Sequence, residues 1–427
     1  MILANVRNGL HFRAAMKACP WRLCLPLTVV FFLCHSARGA EAPAPAFQAG
    51  LDVTLEATAG FRGGAHTGHS AEALALSHLA WQSPAGGNSP VAWHAYASVL
   101  TLTGEGPSGH FLGDFLAASN IEGYHSTRLY SWWLESEFAL WSVRVGALLA
   151  DEEFAGTDVG GHFANSAFGW PAFISANTVN TGPAFFVAAP GIRIARTLNA
   201  NLTWRLGVYD GDTFDSTSGD PAINHDGLHY RLGGDQGWFI VSELAAKSSS
   251  GLTRWKAGTW WHTATCPDVY RDANGRPFAQ SGLAPKNYSS NQGMYAAIEQ
   301  TLAGKSGEPG HIDFYARLGG DLADRNTLAW ALDTGVSCTG PLPNRPTDVF
   351  SLGLTHALFS ADFAANSRLS TPGDPAPTYE QVIEATYSAE IGGHLHLQPG
   401  VQFIRHPGGS SLLRDALLCT FRACLSF

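Results

Sequence analysis

From Tyr379 to the end of the chain at Phe427, side-chain character alternates with a period of two, and few folds accept that pattern. Tyr379, Gln381, Ile383, Ala385, Tyr387, Ala389 and Ile391 share one parity, against Glu380, Glu384, Thr386, Ser388 and Glu390. Leu395, Leu397, Val401 and Phe403 then oppose His394, His396, Gln398 and Gln402. Leu413, Leu417, Cys419, Phe421, Ala423, Leu425 and Phe427 oppose Arg414, Thr420, Arg422 and Ser426. Successive side chains of a strand point to opposite sides, so these runs describe a sheet with one apolar and one polar face. In a soluble protein the apolar face is core. In an outer-membrane barrel it meets lipid, the polar face lines a lumen, and about ten residues cross the membrane. Periodicity alone fits both.

Composition separates them. Charged residues are 14% of the 427, aromatics are 11% and glycines number 47. A soluble chain of this size carries charge on about a quarter of its residues. No apolar run after residue 40 approaches the roughly 18 residues of a spanning helix, which excludes a helical membrane protein. The expectation is an all-β chain, a transmembrane antiparallel β-barrel behind a cleaved N-terminal signal peptide.

Residues 1–40 read as that signal peptide. Arg7, Arg13, Lys17 and Arg22 precede the apolar run from Leu23 to Cys34, small residues follow, and Met16-Lys17 offers a second start. Ala37-Arg38-Gly39 and Ala40-Glu41-Ala42 are cleavage candidates, and Leu33 before Cys34 argues against lipidation. Residues 41–46 form a short Pro/Ala linker, and 47–427 a single barrel domain. The five basic residues of the leader, taken from a total of 26, leave 21 against 35 acidic ones, a net of −14. No concentrated basic surface remains, so nucleic acid is excluded as a partner. Of the four cysteines left, Cys419 and Cys424 differ in parity and cannot bridge each other; Cys266 and Cys338 lie in turn-rich segments where an oxidising compartment permits a bond that sequence does not fix.

Further strands are expected from Phe47, then over Val91–Thr103, Tyr130–Phe138, Trp141–Leu149, Leu202–Tyr209, Leu252–Trp261, Ile312–Leu318 and Phe350–Leu358, with Gly, Asn, Asp and Pro clusters between them. A turn centred on Ala139 and Leu140 sets Glu135 opposite Arg144 on the polar face, an ion pair contributing roughly 0.2–1 kcal/mol to the ladder. Three segments lack alternation. Residues 156–191 are too apolar for a free loop and are candidates to fold into the lumen. Residues 210–226 carry Asp210, Asp212, Asp215, Asp220 and Asp226 without EF-hand order and read as a solvated external loop; residues 263–292, with Cys266 and Asn287-Tyr288, read as an external loop.

Motifs in order then resemble the OprB-type carbohydrate-selective porins. They are Gly113-Asp114-Phe115-Leu116, Ser119-Asn120-Ile121-Glu122, Arg128-Leu129-Tyr130, Trp133-Leu134-Glu135 and Arg144-Val145-Gly146 with Asp151 and Phe154. Phe168-Gly169-Trp170-Pro171, Ala189-Pro190-Gly191, Gly258 with Trp260 and His262, Asp324-Arg325-Asn326, and Arg345-Pro346 with Asp348 follow. Glu384 with Tyr387, Gln398-Pro399, Gln402-Phe403-Ile404 and Pro407-Gly408-Gly409 close the set. The resemblance implies about sixteen strands, an eyelet lined by charged and aromatic side chains, and passive entry of glucose and similar sugars across the outer membrane of a Gram-negative bacterium. Gly400 departs from the usual Asp, read as the loss of a turn-capping carboxylate, and Cys419 and Cys424 replace aliphatic or small residues.

A sugar carries no net charge, so selection rests on hydroxyl hydrogen bonds and on stacking of C–H faces against rings; ion pairs across a constriction supply donors and acceptors. Parity nominates Glu135, Glu137 and Arg144 as pore-lining, then Arg205, Arg254, Arg317, Glu384 and Glu390. Arg193, Trp170 and Phe168 join them if the central aromatic segment folds inward. Outer-membrane lipid and lipopolysaccharide are expected partners, with the barrel-assembly machinery reading the strand that ends at Phe427; oligomeric state stays open. No cofactor or metal is expected: His66 with His69, and His394 with His396, lack Cys or carboxylate partners in sequence. The alternatives are a general cation-preferring diffusion porin, which the net charge favours, a barrel enzyme, against which stands the absence of a Gly-x-Ser-x-Gly elbow, and a soluble periplasmic sugar-binding protein.

Overall fold

A computed structural model describes residues 47–83, 90–305 and 308–427. The leader and linker expectations lie outside these residues.

Sixteen antiparallel strands close into one barrel. They are β1 (Phe47–Gly64), β2 (Gly68–Gln82), β3 (Val91–Glu105), β4 (Ser126–Phe138), β5 (Trp141–Leu148), β6 (Ala189–Asn199), β7 (Leu202–Asp210), β8 (Trp238–Lys247) and β9 (Thr253–His262). After a two-stranded hairpin, β10 (Cys266–Asp272) and β11 (Pro285–Tyr288), the barrel resumes with β12 (Asn291–Ala303), β13 (His311–Asp321), β14 (Leu328–Thr339), β15 (Val349–Phe359), β16 (Tyr379–Ile391), β17 (Leu395–Arg405) and β18 (Arg414–Ser426). Three short helices, α1 (Ala172–Ser175), α2 (Phe278–Ser281) and α3 (Ala361–Ser370), sit in the connections. Each strand follows its neighbour, β9 pairs with β12 across the hairpin, and β1 pairs with both β2 and β18. Closure leaves no unpaired edge.

Alternation is what the barrel turns into two surfaces. Leu79, Leu134, Val145, Met294, Leu318 and Phe421 point outward and are exposed, Met294 to 67%. Opposite parity carries Glu56, Glu243, Arg317, Asp333, Glu384, Gln402 and Arg422, all buried although polar. Such an inversion is stable only where hydrocarbon bathes the outside. The connections also sort by end. Tight turns at 139–140, 200–201 and 392–394 share one rim with both ends of the barrel chain, while the long segments 106–125, 149–188, 211–237, 263–290 and 360–378 share the other.

The segment 149–188 enters the barrel and supplies most of its apolar interior, with Phe154, Phe163, Phe168, Phe173 and Ile174 buried beside wall residues Tyr209, Phe239, Tyr295 and Tyr315. Glycine on the wall lets these rings seat: a Cβ at Gly319 would stand 2.2 Å from the Phe173 ring, and one at Gly353 2.6 Å from that of Phe163. The wall is hollowed where the inserted rings press.

Two sequence readings change. Gly400 lies within β17, paired with Thr386 and Thr420, so the missing carboxylate is not a turn cap. The acidic segment after β7 is not a solvated loop: Asp212, Thr213, Ser216 and Asn224 are buried, because the Asp212 carboxylate accepts from the amides of Phe214 and Ser216 and from the Asn180 side chain of the inserted segment. Residues 263–292 contain β10, β11 and α2, tied by Arg271 to Asp362 of α3 at 2.8 Å. Cys266 and Cys338 are both free thiols.

Candidate permeation site

One side of the lumen is an anchorage. Glu243 of β8 accepts from the Ala155 amide and the Tyr295 hydroxyl, each at 2.8 Å. Glu299 of β12 accepts from the amide of Asp158 at 2.7 Å and of Val159 at 3.3 Å. Glu384 of β16 takes the amides of Ala164 and Asn165 at 2.7 and 2.9 Å. Glu380, four residues earlier on the same face of β16, takes the amides of Phe115 and Leu116 of the segment after β3, each at 2.8 Å. Arg317 of β13 completes the set from the opposite polarity. Its guanidinium pairs with Asp333 at 2.8 Å and donates to the carbonyls of Ala155, Ala167 and Gly169 at 2.7–2.8 Å, with neither Arg317 nor Asp333 exposed to water. Each charge-assisted bond contributes roughly 1.5–3 kcal/mol. An inserted loop with bare backbone amides thus finds its partners on the wall.

The other side carries a separate cluster of paired charges. Glu135 of β4 pairs in register with Arg144 of β5, 2.7 Å apart, and with Arg193 of β6 at 2.8 Å. Glu153, from the inserted segment, binds the same two guanidinia, each at 2.9 Å. Arg205 of β7 reaches Glu243 at 3.4 Å and Glu153 at 3.9 Å. In this alternation of two carboxylates and three guanidinia, Arg144 and Arg205 keep 18% and 28% of their side chains exposed while Glu135 and Arg193 are buried. Beside them runs a row of stacked rings: Arg144 lies 3.9 Å over the Trp133 ring, Trp133 stacks on Tyr96 at 5.4 Å, and Tyr96 on His78 at 5.8 Å. Trp133 has the parity of Glu135, so the row faces the lumen.

The nominated residues divide accordingly. Glu135, Arg144, Arg193 and Arg205 come together in this cluster. Glu137 stands apart, 3.8 Å from His94. Arg254 bonds Asp158 at 2.5 Å and Glu299 at 3.4 Å, facing the tip of the inserted segment. Glu390 lies near the tight-turn rim, its backbone bonded to Asp348 and Arg345. Glu384 and Arg317 are spent on the loop backbone. Phe168 and Trp170 fold inward but not into the channel: Phe168 stacks on Phe163 at 4.2 Å, and the Trp170 indole donates to the Thr181 carbonyl at 3.0 Å. Sequence reasoning missed His78 and Tyr96; their positions on lumen-facing parity of β2 and β3 were the available signal.

Two loop carboxyls sit in unusual surroundings. Burial pushes Asp151 up to about 6 while its Oδ2 accepts from the Phe185 amide at 2.9 Å. Burial, then the charge of Glu122, raises Asp114, and neither of its oxygens has a hydrogen-bond partner among the described residues. No group of three or more His, Cys, Asp or Glu among the described residues could hold a metal ion.

Comparison with known proteins follows this geometry. The model of the carbohydrate-selective porin OprB family matches residues 90–427. Porin B of Pseudomonas aeruginosa is 23% identical over 281 residues, 62% of this chain and 57% of that protein, so the alignment spans little more than half of the relative. The high-pH structure of Pseudomonas putida OprB superposes with a TM-score of 0.78 at 18% identity, over 90% of this chain and 94% of that one. The outer-membrane channel DcaP of Acinetobacter baumannii gives 0.55 at 12% identity, over 89% and 97%. Such distant likenesses speak for the fold, and the family match for the lineage: the chain belongs to the OprB family of carbohydrate-selective porins, barrels of the bacterial outer membrane.

Proposed function

We propose that this barrel admits small neutral sugars, glucose among them, by passive diffusion along the wall that carries the paired-charge cluster. The observation that carries the reading is the row His78, Tyr96 and Trp133 running into the Glu135–Arg144 pair. Rings offer a flat apolar surface to the C–H face of a pyranose, and the ion-paired groups offer donors and acceptors to its hydroxyls. Pairing the charges with each other keeps any one of them from holding solute tightly, so transit stays fast. Family and barrel favour a channel over an enzyme.

Liposome swelling tests this directly. Purified barrel should pass glucose faster than amino acids, salts or polyols of equal size; rates that follow size alone would sink the reading. The rival, a general cation-preferring porin, draws on the net charge of −14 after the leader's five basic residues are removed from 26 basic against 35 acidic. A reversal potential in a salt gradient close to the cation limit, with no sugar preference, would favour it. Phe427 is read as the assembly signal. Its backbone bonds Leu51 of β1 in both directions at 3.0 and 3.2 Å while its ring stays 70% exposed, available to insertion machinery. Deleting it should lower the amount in the outer membrane several-fold on immunoblots of fractionated cells.

A further inference from the structure

The outer face of the barrel carries a groove of about 980 Å³ that crosses β7–β14 obliquely. Ala257, Ala296 and Gly320 form its floor, Met294 and Leu318 flank it, and it runs from Trp204 near the tight-turn rim to Trp330 near the long-loop rim. Its size reaches the upper end of the roughly 300–1,000 Å³ of small-molecule sites.

From Trp330 a second feature continues along the same rim. Trp330 lies 5.3 Å from the His356 ring, His356 stacks on Tyr379 at 5.0 Å, and Tyr379 packs on His406 at 4.5 Å. Arg405 lies 6.0 Å from the Tyr379 ring. Strand parity sets Trp330, His356, Tyr379 and Arg405 outward: their neighbours Ala331, Thr355, Glu380 and Ile404 are the buried, lumen-side residues. Arg405 is exposed and pairs with no carboxylate among the described residues, and the buried Nδ1 of His406 has no hydrogen-bond partner there. Ionisable groups on a membrane-facing surface are costly unless an anion meets them. The cation and the imidazoles therefore call for a phosphate, the rings for a saccharide face, and the groove for hydrocarbon.

We propose that this face binds one phosphorylated, acylated saccharide lipid of the outer leaflet, with phosphate on Arg405 and His406, sugar ring along Tyr379 and His356, and an acyl chain in the groove beyond Trp330. The site is on the outside of the barrel and is independent of the lumen.

Native mass spectrometry of the mature barrel in detergent tests it, with lipid A, its deacylated disaccharide diphosphate, phosphatidylglycerol and inorganic phosphate as probes. Lipid A should bind at one per barrel, about tenfold or more tighter than the other three, a difference of about 1.4 kcal/mol. Arg405→Gln with His406→Gln should remove that preference, and Ala296→Phe, which fills the groove, should lower lipid A occupancy while leaving liposome-swelling rates unchanged. Trp330→Leu, a milder change at the junction, serves if the double variant fails to fold. Equal binding of phosphatidylglycerol would reduce the face to ordinary annular contact and overturn the proposal. Equal affinity for the deacylated form would remove the groove from it, and unaltered lipid A retention in the folded variants would also overturn it.

Discussion

The two halves of the lumen use the same residue types for opposite purposes. On β8–β16, Glu243, Glu299, Glu384 and Arg317 are buried and saturated by the backbone of the inserted segment. On β4–β7, Glu135 pairs with Arg144 and Arg193 while Arg205 reaches Glu243 and Glu153; Arg144 and Arg205 keep 18% and 28% of their side chains in contact with water, and Glu135 and Arg193 are buried. A charged residue on the lumen parity is thus bonded to loop backbone where the inserted segment covers it and to other side chains where it does not. Glu153 joins the halves, since it starts the inserted segment yet pairs with Arg144 and Arg193.

Breaking the anchored half should have the largest effect. Arg317→Met leaves Asp333 buried without its counter-charge, with only the Thr355 hydroxyl still donating to it, and the loop carbonyls without their donor, a cost of about 3–5 kcal/mol. The segment should detach, raising single-channel conductance and lowering the temperature of heat-modified gel migration. Glu384→Gln keeps an acceptor but loses charge and should cost about 1–2 kcal/mol, seen as noisier conductance with the fold intact. On the other half, Trp133→Leu should leave thermal stability nearly unchanged and cut the preference for glucose over an equal-sized polyol in swelling assays. A large stability loss there would break the distinction between the halves.

The smallest effect concerns Asp114 in the segment after β3. Its folded-state pKa is raised, so the folded form binds its proton more tightly than the unfolded chain. This contribution is greatest below the ordinary carboxylate range and is lost as pH rises toward the raised value. Asp114→Asn should flatten the fall in melting temperature between pH 4 and 8; an unchanged slope would show that the group is not buried in solution.

Much of the wall was legible. Tyr379–Ile391 is a strand with the same bounds in the fold, and the Glu135–Arg144 register is as the turn at Ala139 and Leu140 required. Period two reports which face a residue takes, and nothing else. Whether Glu384 meets water or a loop depends on Ala164 and Asn165, some two hundred residues away in the chain, and no local pattern encodes that meeting. The ring row was hidden for a related reason, because His78, Tyr96 and Trp133 sit on three strands whose pairing must be known before they adjoin.

The seam between β1 and β18 has a kinetic consequence. Asp52 pairs with Ser426 and Leu51 with Phe427, so the contacts that seal the barrel join its first strand to its last. Loop-closure entropy makes such pairing slow and late. The first strand must wait, with one edge open, until the last lies beside it, and a sheet that stops short of that pairing is not a pore.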